Sequence, residues 1–516
     1  MTLSNVELLL IIEAPLLTAL ALFIFPRRLR PAACWLAGGA AALSLAAMFS
    51  LIPALQRGEV PTIALTWMPA AGVEFDLHID WLTLPFAITE GAVTLLAIIY
   101  SWGSETHDNR SAYFYALLLL FSVGMAGTTL ADDMILFYTF WELMLLASCA
   151  LILVWGHASN TGPSRRAVVS RREVALKYFI FTHLGSLMVL VAMVILYDAT
   201  GTDRFTALRA GVTLAPGMAT TVIALFLLGF CVKMAIFPLH LWLPDAHTVA
   251  PMPVTIMLAA AMLSMGGYGI LRFPMSIFTM EQVQPFAVPM MILGILSEIY
   301  GALMALAERD IKRIIAYSSV SQMGYILYGM GTLTYNGIAG ATLHVIYHAI
   351  VKALLFMIVG LVVHVTGKRN IDEVGGLARR MPVVTACAAI GILAIVAVPP
   401  LGVFDSEWMI FAGGLETPYV TLSVITIFGS LLTVAYALWF GSRIFLGKDP
   451  AETTDATTDI SLGPVSDRAP ARTKLPLAMV VPSIVLAVLA IVEGVFPGPL
   501  FDWVAHELPM LLGGRW

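Results

Sequence analysis

Charged residues are scarce in this sequence of 516 residues, and their scarcity excludes most classes of soluble protein. Only 12% of the residues are charged, whereas a typical soluble domain has about a quarter. The net charge of −5 leaves no basic surplus for binding nucleic acid. Four cysteines stand singly in apolar runs, so they predict neither a disulfide framework nor a zinc or iron–sulfur site: Cys34, Cys149, Cys231 and Cys387.

Long hydrophobic runs take up most of the chain instead. Hydrophobic residues make up 59% of the sequence, and the mean hydropathy is +0.89. A bilayer core of about 30 Å needs about 20 apolar residues per helix, and runs of this length recur from end to end. Because the runs are continuous rather than alternating, they predict an all-α polytopic membrane protein and exclude a transmembrane barrel. About fourteen spans are predicted, near 6–26, 32–54, 80–102, 112–130, 134–156, 174–197, 218–242, 252–273, 285–307, 312–331, 337–366, 382–411, 419–445 and 475–496.

The basic residues predict how these spans are oriented. Alternate loops, beginning with the one at Arg27, contain 21 of the 28 basic residues, whereas the opposite loops contain five. Cytoplasmic loops carry the Lys and Arg excess, so we expect both termini to face outward. The first apolar run lacks a basic start and is therefore predicted to be a span rather than a removed signal peptide.

Several ionisable residues lie inside the predicted spans. A charge at the bilayer centre costs at least about 2.5–3.5 kcal/mol, so each such residue is a functional candidate. Three of them follow one another at four-residue spacing on one helix face and form a polar stripe that extends ~12 Å. Imidazole and a desolvated amine can both pass protons. The candidates are Glu142, Lys233, His344, His348, Lys352 and Glu407.

Other interpretations of this stripe are weaker. A single buried histidine often only bonds to a neighbouring helix, but three groups in register with a lysine favour a relay. A bis-histidine haem would need a second helix with a facing ligand, and the sequence repeats no His pair elsewhere. A lone pair of histidines four residues apart, without a carboxylate motif, is also a weak metal signal.

Prolines are predicted to break two helices beside these charges. Pro238 removes a helical hydrogen bond five residues after Lys233, and Pro399 with Pro400 precedes Glu407. Interrupted helices with charges in corresponding positions of two halves are typical of an ion path between repeats. Further intramembrane carboxylates, which could merely be protonated and hydrogen-bonded, are Glu13, Glu90 and Glu298.

Several motifs resemble the antiporter-like subunits of respiratory complex I, of Mrp cation/proton antiporters and of membrane-bound hydrogenases. The longest are the runs from Phe237 to His247 and from Asp310 to Ser319. Shorter matches are Phe140-Trp141-Glu142, Gly266-Gly267-Tyr268-Gly269 and the run from Gly375 to Pro382. Together these motifs cover roughly residues 75–445.

The resemblance implies fourteen helices with two inverted five-helix repeats, each forming a half-channel. It implies that Glu142 and Lys233 are the acid–base pair of the first half-channel, and that His348, Lys352 and Glu407 act in the second. The family often has a lysine where this chain has Ser264, so water, Glu298 or His344 would have to complete the central relay. We also regard His240 and His247 as accessory candidates.

The implied organisation divides the chain into five parts. Residues 1–110 would be N-terminal helices, 111–275 the first half-channel repeat, and 276–446 the second. Residues 447–474 are predicted to be a cytoplasmic linker, and 475–516 a final span with its tail.

The predicted function is proton translocation, with possible coupling to Na⁺, by one subunit of a hetero-oligomeric complex in a bacterial or archaeal plasma membrane. We expect no covalent chemistry and no cofactor on this chain, which would serve a redox-driven pump or a cation antiporter. The M-type subunit of complex I and the Mrp D-type or hydrogenase subunit stay open. A subunit of a secondary Na⁺/H⁺ antiporter without a redox partner and a non-transporting scaffold are the competing interpretations.

Overall fold

A computed structural model describes residues 3–68, 73–104, 110–157, 170–212, 214–447 and 474–511. It confirms an all-α polytopic membrane protein, because twelve of its helices are long and apolar enough to cross a bilayer. Two further predicted spans correspond to the more polar helix Ile311–Gly331 and to a helix broken into two halves of 14 residues, Pro382–Ile395 and Gly402–Leu415. Residues 448–473, nearly all of the predicted linker, lie outside the described residues.

The N-terminal part combines membrane helices with one small sheet. Its elements are α1 (Leu3–Ile24), α2 (Pro26–Leu29), α3 (Ala33–Ser50), α4 (Ile52–Gln56), β1 (Thr62–Met68), β2 (Val73–His78) and α5 (Thr83–Ser101). The two strands pair antiparallel, with Thr62 opposite His78. This hairpin, which the hydropathy pattern did not predict, carries a group of charged side chains to the start of α5.

The next part contains the first broken helix. Its elements are α6 (Ser111–Leu130), α7 (Met134–Trp155), α8 (Arg171–Thr200), α9 (Phe205–Arg209), α10 (Pro216–Lys233), α11 (Leu243–Val249), α12 (Met252–Met257) and α13 (Ser264–Ile270). Two π-helical segments, Leu258–Met262 and Leu271–Met275, flank α13. Such segments widen the helical turn and often occur at functional sites.

The second broken helix lies in the remaining part. Its elements are α14 (Met280–Val283), α15 (Ala287–Ala307), α16 (Ile311–Gly331), α17 (Tyr335–Thr366), α18 (Leu377–Arg380), α19 (Pro382–Ile395), α20 (Gly402–Leu415), α21 (Val420–Gly441), α22 (Leu477–Val495) and α23 (Gly498–Leu511). The amphipathic α23 stands where only a tail was expected. Helix α17 is buried continuously from Gly337 to Val362 and therefore forms the axis of the core.

The two parts share local landmarks. Asp133 caps the N-terminus of α7, and Asp310 caps α16 in the same way, each accepting two backbone N–H bonds. Helix α8 ends at Gly201 and α17 at Gly367, both with left-handed backbone, which glycine adopts without steric cost. Ala235 and Ala397, which stand two residues after the ends of α10 and α19, have φ of 57° and 54°. These correspondences agree with a repeated unit.

Candidate functional site

The carboxylate of Glu142 is bonded to a histidine rather than to the predicted lysine. Its Oε2 atom lies 3.1 Å from Nδ1 of His183 on α8. The imidazole of His183 stacks on Phe179, with ring centroids 5.2 Å apart. His183 was not among the predicted site residues, although it is a histidine inside an apolar run, which was the available signal.

The amine of Lys233 stands over an aromatic ring at the end of α10. Its Nζ lies 4.8 Å from the ring centroid of Trp141, within the range of a cation–π contact. The side chain is 2% exposed, and Nζ has no hydrogen-bond partner among the described residues. Trp141 donates its indole N–H to Oγ of Ser186 at 3.0 Å. Lys233 is therefore close enough to Glu142 to interact electrostatically but forms no direct ion pair with it.

The predicted break at Pro238 is confirmed, since α10 ends at Lys233 and α11 begins at Leu243. Other groups bond to the irregular backbone: the N–H of Phe237 donates to Oγ of Ser297 at 2.8 Å. The indole of Trp242 donates to the carbonyl of Val232 at 3.0 Å. The backbone around the break therefore has one partner from α15 and one from Trp242, the last residue before α11.

An ion-pair network lies beyond this break. Asp245 accepts hydrogen bonds from Lys177 at 2.8 Å and from Arg313 at 2.7 Å. Burial alone would raise the pKa of Asp245, but the two cations lower it below its ordinary value. Lys312, next to Arg313, is buried and donates to the carbonyl of Ala250 at 2.8 Å. The network therefore ties α8, α11 and α16 together.

Two accessory candidates differ in their surroundings. His247 on α11 is fully buried, packs against Phe356 and interacts electrostatically with His348 on α17. Within the described ranges, both ring nitrogens of His247 and of His348 are without hydrogen-bond partners. The structure thus brings His247 toward the stripe of α17. By contrast, His240 lies among the rings of Phe237 and Tyr300.

His344, the first residue of the stripe, joins two further helices. Its Nδ1 lies 3.0 Å from Oγ of Ser406 on α20, and its Nε2 lies 3.0 Å from Oε1 of Gln322 on α16. Gln322 also lies beside Glu407, which is 4% exposed. Gln322 and Ser406 were not predicted, because neither residue type is unusual inside a membrane helix.

Lys352 ends the stripe with a short contact to Oγ of Ser318. This contact matches the bond between Trp141 and Ser186. Trp141 and Ser318 each stand eight residues after a capping aspartate, and Ser186 and Lys352 each stand 15 residues before a left-handed glycine. By the same registration, the buried residues Tyr178, Thr182 and Ser186 of α8 correspond to His344, His348 and Lys352 of α17.

The centre of the site lies beside Ser264. Its hydroxyl donates to the carbonyl of Ala260 at 2.7 Å, inside the first π-helical segment. A small cavity, with about 10 Å³ of room for the centre of a water molecule, separates Ser264 and Glu90 from α17. Glu298 is fully buried elsewhere, against Gly429 of α21.

The second predicted break is also confirmed, because α19 ends at Ile395 and α20 begins at Gly402, on either side of Pro399 and Pro400. Glu407 lies on the first turns of α20. Among the described residues, no group of three or more His, Cys, Asp or Glu side chains could hold a metal ion. Fold and site together define a multi-pass helical membrane protein with two interrupted helices and buried acid–base groups beside them.

Comparison with known proteins identifies the family. Residues 131–433 match the family described as NADH:quinone oxidoreductase/Mrp antiporter, TM. The chain is 34% identical over 430 residues to NAD(P)H-quinone oxidoreductase chain 4 1 of Synechococcus elongatus, covering 82% of this chain and 76% of the relative. It is 35% identical over 391 residues to NAD(P)H-quinone oxidoreductase chain 4 3 of Picosynechococcus, and this match covers 74% of this chain and 68% of the relative.

Chains in three solved membrane complexes have a similar fold. The archaeal membrane-bound sulfane sulfur reductase contains a chain 28% identical with a TM-score of 0.82, covering 96% of this chain and 77% of that one. A chain of the Mrp complex from Dietzia shares the fold at 23% identity and a TM-score of 0.84. The match covers 100% of this chain and 98% of that one. A chain of respiratory complex I from Thermus thermophilus shares the fold at 24% identity and a TM-score of 0.82. The match covers 98% of this chain and 100% of that one. The chain belongs to the NADH:quinone oxidoreductase/Mrp antiporter transmembrane family and is an antiporter-like membrane subunit.

Proposed function

We propose that this subunit carries protons across a plasma membrane, within a multisubunit complex, through the groups of Glu142, Lys233, His348, Lys352 and Glu407. The observation that supports this most directly is the arrangement around α17, where three segments bring buried basic side chains within electrostatic reach of one another: His247 of α11, Lys312 of α16, and His348 with Lys352 of α17. Burying so many ionisable groups is costly, and a purely structural role would need far fewer of them.

In the first half-channel, Glu142 would exchange partners. Its carboxylate is bonded to His183 and stands within electrostatic reach of Lys233. When Glu142 turns to Lys233, the positive charge of the ammonium is stabilised. When it returns to His183, the amine loses its counter-charge and releases its proton inward. The imidazole of His183 holds the carboxylate between these steps.

The proton would then pass from the first broken helix to α17. His247 lies within electrostatic reach of His348, and the four ring nitrogens are buried without hydrogen-bond partners among the described residues, so bridging water molecules would connect them. Lys352 and His344 continue the path on one helix face, and Gln322 links His344 with the surroundings of Glu407. Residues 111–275 and 276–446 would be the two repeats that carry these halves.

Proton uptake by proteoliposomes that contain the assembled complex tests this route. Lys233→Ala is expected to abolish uptake while the subunit still inserts and assembles. Lys368→Ala is the matched control, because Lys368 is exposed beyond α17 and its ammonium donates to the backbone carbonyl of Glu373. Wild-type uptake in Lys233→Ala would contradict the route. A loss of assembly, with unchanged uptake per assembled complex, would favour a scaffold.

A further inference from the structure

Helix α1 carries a carboxyl group in the middle of its membrane span. Glu13 is exposed on the surface of the chain and belongs to the span Ser4–Ile24. At 1.5 Å per residue, about 14 Å of helix separates it from one end of this span and about 16 Å from the other. Long lysine and arginine side chains near helix ends can reach the interface, but the shorter side chain of a glutamate in the middle of a span cannot.

Contacts with α3 define which side of α1 is turned inward. Pro15 lies inside the helix and has no N–H for the carbonyl of Ile11. Ser44 of α3 donates its hydroxyl to this carbonyl at 2.8 Å instead, and Ile11 is fully buried. Glu13 follows two residues later, which is about 200° further around the helix. Its side chain therefore projects away from α3.

Apolar side chains extend the exposed face of α1 on both sides of Glu13. Val6, Leu17, Leu20 and Ile24 are 43%, 60%, 44% and 66% exposed. Together with Glu13 they follow one another at separations of seven, four, three and four residues. This spacing places all five side chains in one stripe along the helix. A second helix can pack lengthwise on such a stripe.

The carboxyl group of Glu13 has neither a hydrogen bond nor an ion pair within the described residues. Ionisable groups inside a membrane are costly, and they almost always face protein or water and pair with one another. Facing hydrocarbon is therefore the least favourable position for this group. A protein that covers the stripe and supplies a positive charge removes the cost.

A second copy of this chain does not provide that positive charge. Lys233 and Lys352, the two lysines deep in the spans, are 2% and 0% exposed. Arg272, within the span Met252–Met275, is also fully buried. No cation of these spans therefore reaches the membrane surface of the chain to meet Glu13. The complementary charge must come from a different membrane subunit.

We propose that the exposed stripe of α1 binds a transmembrane helix of another subunit, and that a lysine or arginine of that helix pairs with Glu13. The apolar side chains of the stripe would shield the pair from lipid. A displacement of one helix along the other would leave two charges unpaired in the membrane, so the pair fixes the depth at which the helices meet. This contact is separate from the proposed proton route, which uses no residue of α1.

Glu13→Ala in the whole complex distinguishes a covering subunit from lipid. If the carboxyl group faced lipid, its removal would leave assembly unchanged or improve it. If it pairs with a cation, the alanine leaves that cation buried without a partner. We then expect the amount of one co-purifying membrane subunit to fall at least about tenfold. Glu281→Ala, which removes an exposed carboxyl group at the end of another span, is the matched control and should assemble like the wild type.

Photo-crosslinking identifies the covering helix without relying on a destabilised variant. A photoreactive residue at Leu17 should link to a membrane span that carries a lysine or arginine, whereas the same probe at Phe428, 66% exposed on α21, should not give this product. Exchanging that cation for glutamate should restore assembly of Glu13→Lys. Links to lipid alone, or to a span without a basic residue, would overturn the proposal.

Proton uptake separates this contact from the transport route. Uptake per assembled complex should stay at the wild-type level in Glu13→Ala, because the contact holds the subunits together and carries no protons. A fall in uptake per assembled complex would place Glu13 on the transport route and overturn its assignment to the contact. Retained uptake in Lys233→Ala would contradict the route and leave the contact on α1 unaffected.

Discussion

Oε2 of Glu142 lies 3.1 Å from Nδ1 of His183, while the neighbouring Lys233 has only the ring of Trp141 against its amine. Glu142, the acid of the proposed first half-channel, therefore has a partner from α8, and Lys233, the proposed base, is within electrostatic reach of it. Two alternative partners for one carboxylate are the requirement for a switch with two states.

Removing the imidazole should disturb this switch. His183→Ala leaves Glu142 without its hydrogen bond, and a bond to a charged group contributes about 1.5–3 kcal/mol. The carboxylate should then stay near Lys233, and proton uptake should fall about tenfold. Uptake per assembled complex is the measurement, with Ile180→Ala as the control at an exposed position on the same helix. Equal uptake in the two variants would show that His183 has no part in the switch.

Replacing Gln322 should reduce proton uptake more than replacing the adjacent Ser321. Gln322→Leu removes the acceptor of His344 and the amide beside Glu407, so we expect proton uptake to fall at least about fivefold, the effect of roughly 1 kcal/mol. Ser321→Ala removes a hydroxyl that is unpaired within the described ranges and should be close to neutral. A similar effect in both variants would point to packing of α16 as the cause.

Gly429 provides a close approach between α21 and Glu298. A Cβ atom at this glycine would lie 2.0 Å from Oε1 of Glu298, so Gly429→Ala must displace a buried carboxyl group. We expect a loss of about 1–3 kcal/mol in stability, measured by thermal unfolding of the purified protein in detergent. Gly39→Ala has free space around it and should leave the unfolding temperature unchanged or slightly higher. Equal midpoints would contradict the close approach.

A pair of carboxyl groups at the start of α7 should make stability depend on pH. Burial raises the pKa of Asp133 from 3.8 to about 7, and Asp203 adds to the rise, although backbone N–H groups of α7 oppose it. The folded state then binds this proton more tightly than the unfolded state. The bound proton therefore contributes to the free energy of unfolding. This contribution is full below about pH 4 and is lost as the pH rises through about 7.

Thermal unfolding from acidic to neutral pH measures this effect. Asp203→Asn should lower the pKa of Asp133 and flatten the decline of stability with pH. Asp198→Asn, at an exposed position near the end of α8, is the control and should keep the wild-type slope. An unchanged slope in Asp203→Asn would rule out the pairing of the two carboxyl groups.

The helices and the buried charges could be predicted because each leaves a mark in a single stretch of sequence. Pro238 and Lys233 lie five residues apart, and the repeat of His344, His348 and Lys352 is visible on one helix. Partners on other helices, such as His183 and Gln322, depend on how α7 packs against α8 and α16 against α17. Hydropathy carries no information about that packing, and the hairpin was missed because its short strands lie between spans.

The correspondence between α8 and α17 has a chemical consequence. The hydroxyl groups of Thr182 and Ser186 stand where α17 has His348 and Lys352. Hydroxyl groups relay a hydrogen ion without keeping it, whereas an imidazole or an amine can retain one as a stable cation. Under the proposed route, the two halves of this subunit would therefore be unequal: the stripe on α17 would store charge between turnovers, and the one on α8 would only transmit it.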